Sequence, residues 1–394
     1  MSTAPRTPPA PKREWSLRSK AARGVLYQVI AIALIVLVAW FLAHNTLQNM
    51  RVRGIQSGFD FLGQPAGFDI GERLIPYESS DPYWKAFLVG VANTLRVAIV
   101  GIVLTTVLGT LLGVGRFSSN AIVRGLCYAY VEVFRNIPIL LQLLVWYLVL
   151  TELLPDAGSP VSIGHVHLSK GGLSFPAPEW VPGHAWMLLG AVAGGVAAWF
   201  WCQAAQRKFE ATGKPPRKFW PSLALVVIGA IAGWAAGGMP SEWRIPEVGD
   251  VAVTGGGEVT PEFIAVLLGL VLYTASFVAE VVRAGIASVP RGQSEASGAL
   301  GLSTGQQMRL VILPQALRVI IPPMTNQYLN LTKNSSLAVA IGYPDVVSIS
   351  NTAINQTGRA VECIAIIMLV YLTTSLTTSG LMNWYNTRSA IKER

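Results

Sequence analysis

The chain of 394 residues is 52% hydrophobic and only 13% charged, against ~25% charged residues in a soluble globular domain, and its mean hydropathy is +0.47. That composition excludes an ordinary soluble domain. The net charge of +9 invites a nucleic-acid reading, but the basic residues fall into alternate loops between apolar runs, which excludes it.

Residues 1–24 are rich in Pro and Ala and carry Arg6, Lys12, Arg13, Arg18, Lys20 and Arg23. Such a segment is expected to be a disordered basic tail. Val25–His44 then runs for 20 residues without Asp, Glu, Lys or Arg. That length crosses a hydrocarbon core of ~30 Å at ~1.5 Å per residue. The apolar core exceeds the ~7–15 residues of a signal peptide and no A-x-A site follows, so the run is expected to stay as an N-terminal anchor. Residues 45–85 form an outer segment. Similar apolar runs are Ala86–Val114, Ile137–Leu154, Trp186–Cys202, Phe219–Gly238, Phe263–Val282 and Cys363–Trp384, with one more crossing in the mixed stretch Ile320–Gly342. The expected fold class is an all-α polytopic membrane protein with about eight spans and both termini cytoplasmic.

The positive-inside rule places the leader in the cytoplasm. Alternation then puts Arg116 and Arg124 inside, followed by Arg207, Lys208, Lys214, Arg217 and Lys218, by Arg291, Arg309 and Arg318, and by the 387–394 tail with Arg388, Lys392 and Arg394. The opposite loops hold Asp60, Asp69, Glu72, Glu78, Asp81, Glu242, Glu247, Asp250 and Glu258. Residues 155–260 read as an insertion of two extra spans, about 186–202 and 219–238, joined by a basic turn. Each carries a small-xxx-small step, Gly190–Gly194 and Gly229–Gly233, a spacing that allows helix backbones to approach closely. Abundant Ala and Gly produce the same spacing by chance, and the sequence leaves that choice open. Cys127, Cys202 and Cys363 lack metal-ligand spacing and read as packing residues. His165, His167 and His184 read as ordinary loop residues, without a supporting acid or thiol pair.

The stretch EASGALGLSTGQQMRLVILP at 295–314 separates two spans on the basic side, within a loop of about 286–318. Glu295 is expected in the first turn of a short helix, where its charge suits the positive end. Ala296, Ser297, Gly298, Ala299 and Gly301 keep that helix slim. A second helix is expected from Ser303, with Gln306 completing a capping box, and Pro314 is expected to interrupt it. Two short helices in an L would result, the first thin enough to enter a groove on another protein.

Glu295-Ala296-Ser297, then Gly301, then Val311, any residue and Leu313-Pro314 resemble the EAA loop of bacterial ABC importer permeases. NTLRVAIVGIVLTTVLGTLLGVGRFS at 93–118, YVEVFRNIPILLQLLVWY at 130–147, AEVVRAGIASVPRGQSEA at 279–296 and LTKNSSLAVAIGYPDVV at 331–347 resemble the polar amino acid branch, as does the stretch 356–386. The resemblance covers about 86–154 and 261–386 as a permease core. Ser297 and Gly298 depart from the family's alanine and longer residue, and the glycine lowers helix stability by ~1 kcal/mol. The long form, with anchor and insertion, is similar to permeases of general L-amino acid uptake.

The resemblance implies a type I importer bundle in the bacterial inner membrane. It implies a separate cytoplasmic ATP-binding subunit, a second permease subunit, a periplasmic amino acid-binding protein and surrounding lipid, with no nucleic acid. Glu295, Ala296, Ser297, Gly301, Val311, Leu313 and Pro314 would couple to the ATPase. No G-x-x-x-x-G-K-[ST] loop occurs here, so this chain is expected to hold no cofactor, and ATP and Mg would belong to the partner. No catalytic or metal-binding residue is expected.

Ionisable residues at membrane depth are expensive and point to function. Glu132, Arg135, Glu280, Glu362, Arg96 and Lys333 qualify. A zwitterionic amino acid needs an acceptor for its ammonium and donors for its carboxylate. Glu280 or Glu362 would serve as acceptor, and Asn326, Gln327, Asn330 and Asn334 as donors. Glu132 with Arg135 and Glu280 with Arg283 also have the i, i+3 spacing of internal pairs, and Lys333 also reads as an anchor at a helix break. An ion-coupled secondary transporter or channel is the alternative, although broken helices in two repeated halves are not visible. A membrane enzyme ranks last, since the four histidines form no H-x-x-x-x-D or H-E-x-x-H.

Overall fold

The computed structural model describes residues 20–52, 54, 57–212 and 219–389. The expected disordered tail up to residue 19, Lys214, Arg217 and Lys218 of the basic turn, and Lys392 and Arg394 lie outside them. Among the described residues, six helices are long and apolar enough to cross a membrane, and two bent pairs raise the number to eight if each is one span.

Helix α1 (Lys20–Val52) is exposed along its apolar length, as a lipid-facing anchor is. Helix α2 (Tyr83–Gly115) follows the acid-rich segment 57–82. Next come α3 (Ala121–Asn136), capped by the Asn120 side chain on the Ile122 N–H, and α4 (Ile139–Leu148). The apolar run expected as a span at 137–154 is helical over Ile139–Leu153, and it meets α3 at 103°. The cause is local. The ring of Pro138 pushes Ile137 out of the helical region, to φ −97° and ψ 127°. The buried Gln142 amide then donates to the Phe134 and Ile137 carbonyls at 2.9 Å each, pairing groups that the break leaves open.

The insertion contains more than helices. Strands β1 (Val161–Ile163), β2 (Val166–Ser169) and β3 (Gly172–Phe175) form an antiparallel sheet with β8 (Gly257–Val259), in the order β1-β2-β3-β8. Two smaller ladders pair β4 (Ala177–Pro178) with β5 (Trp243–Arg244), and β6 (Glu247–Val248) with β7 (Val253–Thr254). The chain is mostly helical as expected, and the insertion's non-helical parts add short strands, where two distant segments supply each other's edge bonds. His167 bonds Ser162 at 2.8 Å within this sheet.

Between the strands, α5 (Gly183–Thr212) and α6 (Phe219–Ala236) form a hairpin that packs on itself. The glycine steps make the contact. A Cβ at Gly190 would collide with the Gly229 carbonyl, and one at Gly233 with the Trp186 carbonyl. The outward faces, including Leu189, Val192 and Ile228, stay exposed.

Helix α7 (Pro261–Ala287) is the hub of the bundle and touches α2, α3, α4 and the later α10. Its Pro sits at N1 behind the Thr260 cap, where a missing N–H costs nothing. Helices α8 (Arg291–Ala299) and α9 (Thr304–Gln307) form the basic-side loop. A π-helical turn (Met308–Ile312) leads into α10 (Leu313–Asn334), and a 3-10 turn (Ser335–Ile341) continues it. After a left-handed Gly342, α11 (Val346–Thr357) turns by 49°, and α12 (Ala360–Ser389) completes the described chain.

The acid-rich segment packs onto one end of the bundle through Phe61, Ile70 and Tyr77, against Tyr83, Phe87, Ile349 and Cys363. Residues 116–120 and 288–303 lie at the opposite end. The side chains of Cys202 and Ser222 meet across the hairpin at 3.2 Å. Ser222→Cys is therefore expected to form a disulfide with Cys202 on mild oxidation, holding α5 and α6 together after cleavage at a protease site placed in their loop. Adding Gly229→Val is expected to abolish that link.

Candidate functional site

The basic-side loop takes its shape from backbone bonding. Helix α8 begins after Pro290, so Glu295 stands in its second turn rather than the first, and the first turn holds no acid. Glu295 and Ala296 face outward, while Ser297 is buried and donates to the Ser294 carbonyl at 2.9 Å. The helix ends in a Schellman motif: the Leu302 N–H reaches the Ser297 carbonyl at 3.2 Å and the Gly301 N–H reaches Gly298 at 2.9 Å. This closure requires a left-handed residue after the cap, and Gly301 has φ +78°. Its place in the motif is thus conformational. The expected capping box is present, with the Ser303 N–H donating to Gln306 Oε1 at 2.9 Å.

Pro314 does not interrupt the second helix. Thr304–Ile341 runs through it without a break. The π-turn at Met308–Ile312 precedes the proline, and local π adjustments of this kind let proline persist in membrane helices. Val311 and Pro314 are half-buried, and Leu313 is exposed. The basic-side loop and the span are therefore joined as α8, a tight turn and one long helix. Leu300, at the tip between them, is 82% exposed. Sequence reading passed over it because Leu is unremarkable in so apolar a chain.

Asn326, Gln327, Asn330, Lys333 and Asn334 all lie on α10. At ~100° per residue they span an arc of about 120°. Asn326, Asn330 and Lys333 are exposed, with Gln327 and Asn334 half-buried beside them. Among the described residues these side chains have no partner. The row is polar, unsatisfied and on the outside of this chain, beside a face with Ile320, Met324 and Leu331 in the core.

The charged candidates do not join that row. Glu280 on α7 accepts from Arg116 at 2.5 Å and also from Arg283, so both oxygens are occupied. Arg116 lies over the Tyr128 ring at 3.9 Å. Glu362 opens α12 at the acid-rich end, where its Oε1 accepts the Gly58 N–H at 2.6 Å. The neighbouring Arg359 reaches Asp60 at 3.0 Å. The expected Glu280–Arg283 pair forms, but Glu132 and Arg135 make no ion pair among the described residues. Arg135 instead lies over Phe277 at 5.1 Å, and Glu132 accepts from Asn136 at 3.4 Å.

One buried group at the acid-rich end had no signal in the sequence. Glu72, grouped there with the outer loop acids, inserts between α2 and α7. It accepts from Arg96 and from the Thr260 hydroxyl, and from the Thr260 N–H at 3.3 Å. Arg96 in turn covers the Phe263 ring at 4.1 Å. Beside them Asn93 donates to the Glu72 and Pro344 carbonyls at 2.8 and 2.9 Å, so the outer segment is stapled to the break between α10 and α11. Outside the spans, the Lys85 bond to Asp81 holds that carboxyl below its usual range, helped by the Glu78 N–H.

Residues 105–390 match the family of inner membrane components of binding-protein-dependent transport systems. The chain belongs to that family. It is 45% identical over 385 residues to the general L-amino acid transport system permease protein AapQ of Rhizobium johnstonii, covering 96% of each chain. It is 44% identical over 387 residues to the putative amino-acid ABC transporter permease protein YhdX of Escherichia coli, covering 97% of this chain and 98% of that one. A crystal structure of an amino acid ABC transporter with histidines superposes with a TM-score of 0.46 at 20% identity, over 78% of this chain and 95% of that one. The chain is thus a permease subunit of the inner membrane, a transport component that works with a separate ATPase and a binding protein. Nothing in these comparisons supports the secondary transporter, channel or enzyme alternatives.

Two substitutions test the geometry. Gly301→Val forces a branched side chain into left-handed backbone at a cost of about 1–3 kcal/mol; it is expected to weaken co-purification of the ATPase while membrane insertion persists. Glu72→Gln is expected to lower stability in detergent by about 3 kcal/mol, as breaking a buried ion pair does, read by equilibrium unfolding.

Proposed function

We propose that the chain forms half of the translocation path of an importer for L-amino acids of broad range. The observation that carries this reading is the polar, unpartnered face of α10 on the outside of a membrane bundle. Unsatisfied amides and an ammonium facing lipid are costly. A water-filled path closed by a second permease subunit relieves that cost, and the chains pair as a heterodimer. Asn326, Gln327, Asn330 and Asn334 offer donors to a carboxylate moving along the path. The names of the two relatives supply the substrate class. Glu280 and Glu362, held in ion pairs and backbone bonds, support anchoring roles better than direct contact with solute.

The basic end faces the cytoplasm in this reading and the acid-rich end faces the periplasm, following the positive-inside rule. The partner ATPase uses ATP and Mg, and its cleft receives α8. Glu295 and Ala296 present the docking face, Gly301 and Ser297 hold its shape, and Val311, Leu313 and Pro314 pass the motion into α10. Leu300 adds an apolar knob at the tip. The periplasmic binding protein delivers amino acids to the acid-rich end.

Glu295→Lys is expected to abolish amino acid uptake while the protein still inserts in the membrane; normal uptake by this variant would remove the coupling role. Uptake competition with a panel of amino acids defines the range. Asn330→Leu is expected to raise the apparent KM for uptake about tenfold, the scale of one lost charge-assisted hydrogen bond.

A further inference from the structure

The contact between α2 and α7 is close, with Val278 and Val282 of α7 seated against Gly109 and Gly113 of α2. A Cβ at Gly113 would lie 2.8 Å from the Ala279 carbonyl, and one at Gly109 would lie 2.9 Å from the Ala275 carbonyl. Glycines at these positions let the two backbones approach closely. At the basic end, nearest the docking loop, a charged group adds to this contact. Arg116 caps α2 with its side chain buried, and it reaches across to Glu280 at 2.5 Å. The same guanidinium stacks on Tyr128 of α3. Glu280 is tied in turn to Arg283 on its own helix.

We infer that Arg116 and Glu280 are positioning residues that make α2, α3 and α7 move as one body when the docking loop is pushed. Neither the family match nor the relatives assign this role, and it rests on reading 286–318 as the ATPase docking loop. The mechanical route is short. Glu280 stands seven residues before the end of α7 at Ala287, and α8 starts at Arg291. The link between them has little slack, because the Ser288 N–H bonds Ala284 at 2.9 Å and the Gln293 N–H bonds Pro290 at 3.0 Å. A displacement of α8 is therefore delivered to α7. Without the Arg116–Glu280 bridge, the basic ends of α2 and α7 part, and α2 and α3 lag behind α7. The path then fails to switch although nucleotide is consumed.

The test uses the full complex of both permease subunits, the ATPase and the binding protein in proteoliposomes, with ATP hydrolysis and amino acid uptake measured together. Glu280→Gln and Arg116→Gln are each expected to lower the solute moved per ATP about tenfold, within the usual span of coupling free energies. The double variant is expected to be no worse than either single one, because both remove the same link. Arg283→Gln, which leaves the bridge between helices in place, is expected to keep most of the coupling and serves if the other variants fail to assemble. In that case, a tenfold loss with Arg283→Gln overturns the inference. So does an unchanged ratio of solute to ATP in Glu280→Gln, whether the two rates stay normal or fall together. Failure of the docking reading shows separately, as normal uptake by Glu295→Lys.

Discussion

Hydrocarbon offers no water to complete an unpaired backbone hydrogen bond, and the two sharp breaks in this bundle are closed by polar groups supplied from nearby. The break at Ile137–Pro138 is closed by the Gln142 amide. The break between α10 and α11 is closed from α2: Asn93 donates to the Pro344 carbonyl, Thr94 accepts the Val346 N–H at 3.2 Å, and the Tyr343 hydroxyl donates to the Asn93 carbonyl at 3.2 Å. The bent segments are thus ordered parts of the fold. They give the chain turns inside the membrane without lipid-exposed backbone.

Charge follows the same constraint. Arg96, Arg116 and Arg359 each meet a carboxylate, and two of them also cover an aromatic ring. The pairs concentrate at the two ends of the bundle. Glu72 and Arg359 tie the acid-rich segment down, and Glu280 ties the basic ends of α2 and α7 together. The polar face of α10 is the exception, with its amides and Lys333 left open. That open polar surface is the observation on which the proposed path rests.

Much of the candidate site was legible beforehand. Gly301 stood out by its spacing, and the left-handed turn explains it. The Ser303–Gln306 box was readable because capping is local. Pro314 misled, because a proline's effect depends on whether the preceding turn widens to accept it. Glu295 shifted to the second turn because Pro290 starts the helix earlier than the acid suggested. Glu280 and Glu362 were visible as costly charges, but their partners lie 164 and 304 residues away in sequence, beyond the reach of local pattern.

By itself the sequence determined the membrane class, the spans, the loop charge bias and the family, since each depends on composition, length or short spacing. Tertiary structure alone decided that the insertion is a self-packed hairpin stapled by outer strands, that two spans bend, and which carboxylate meets which arginine. Those outcomes depend on backbone approach between distant segments. Hydrophobicity along a chain carries no record of which helix stands beside which.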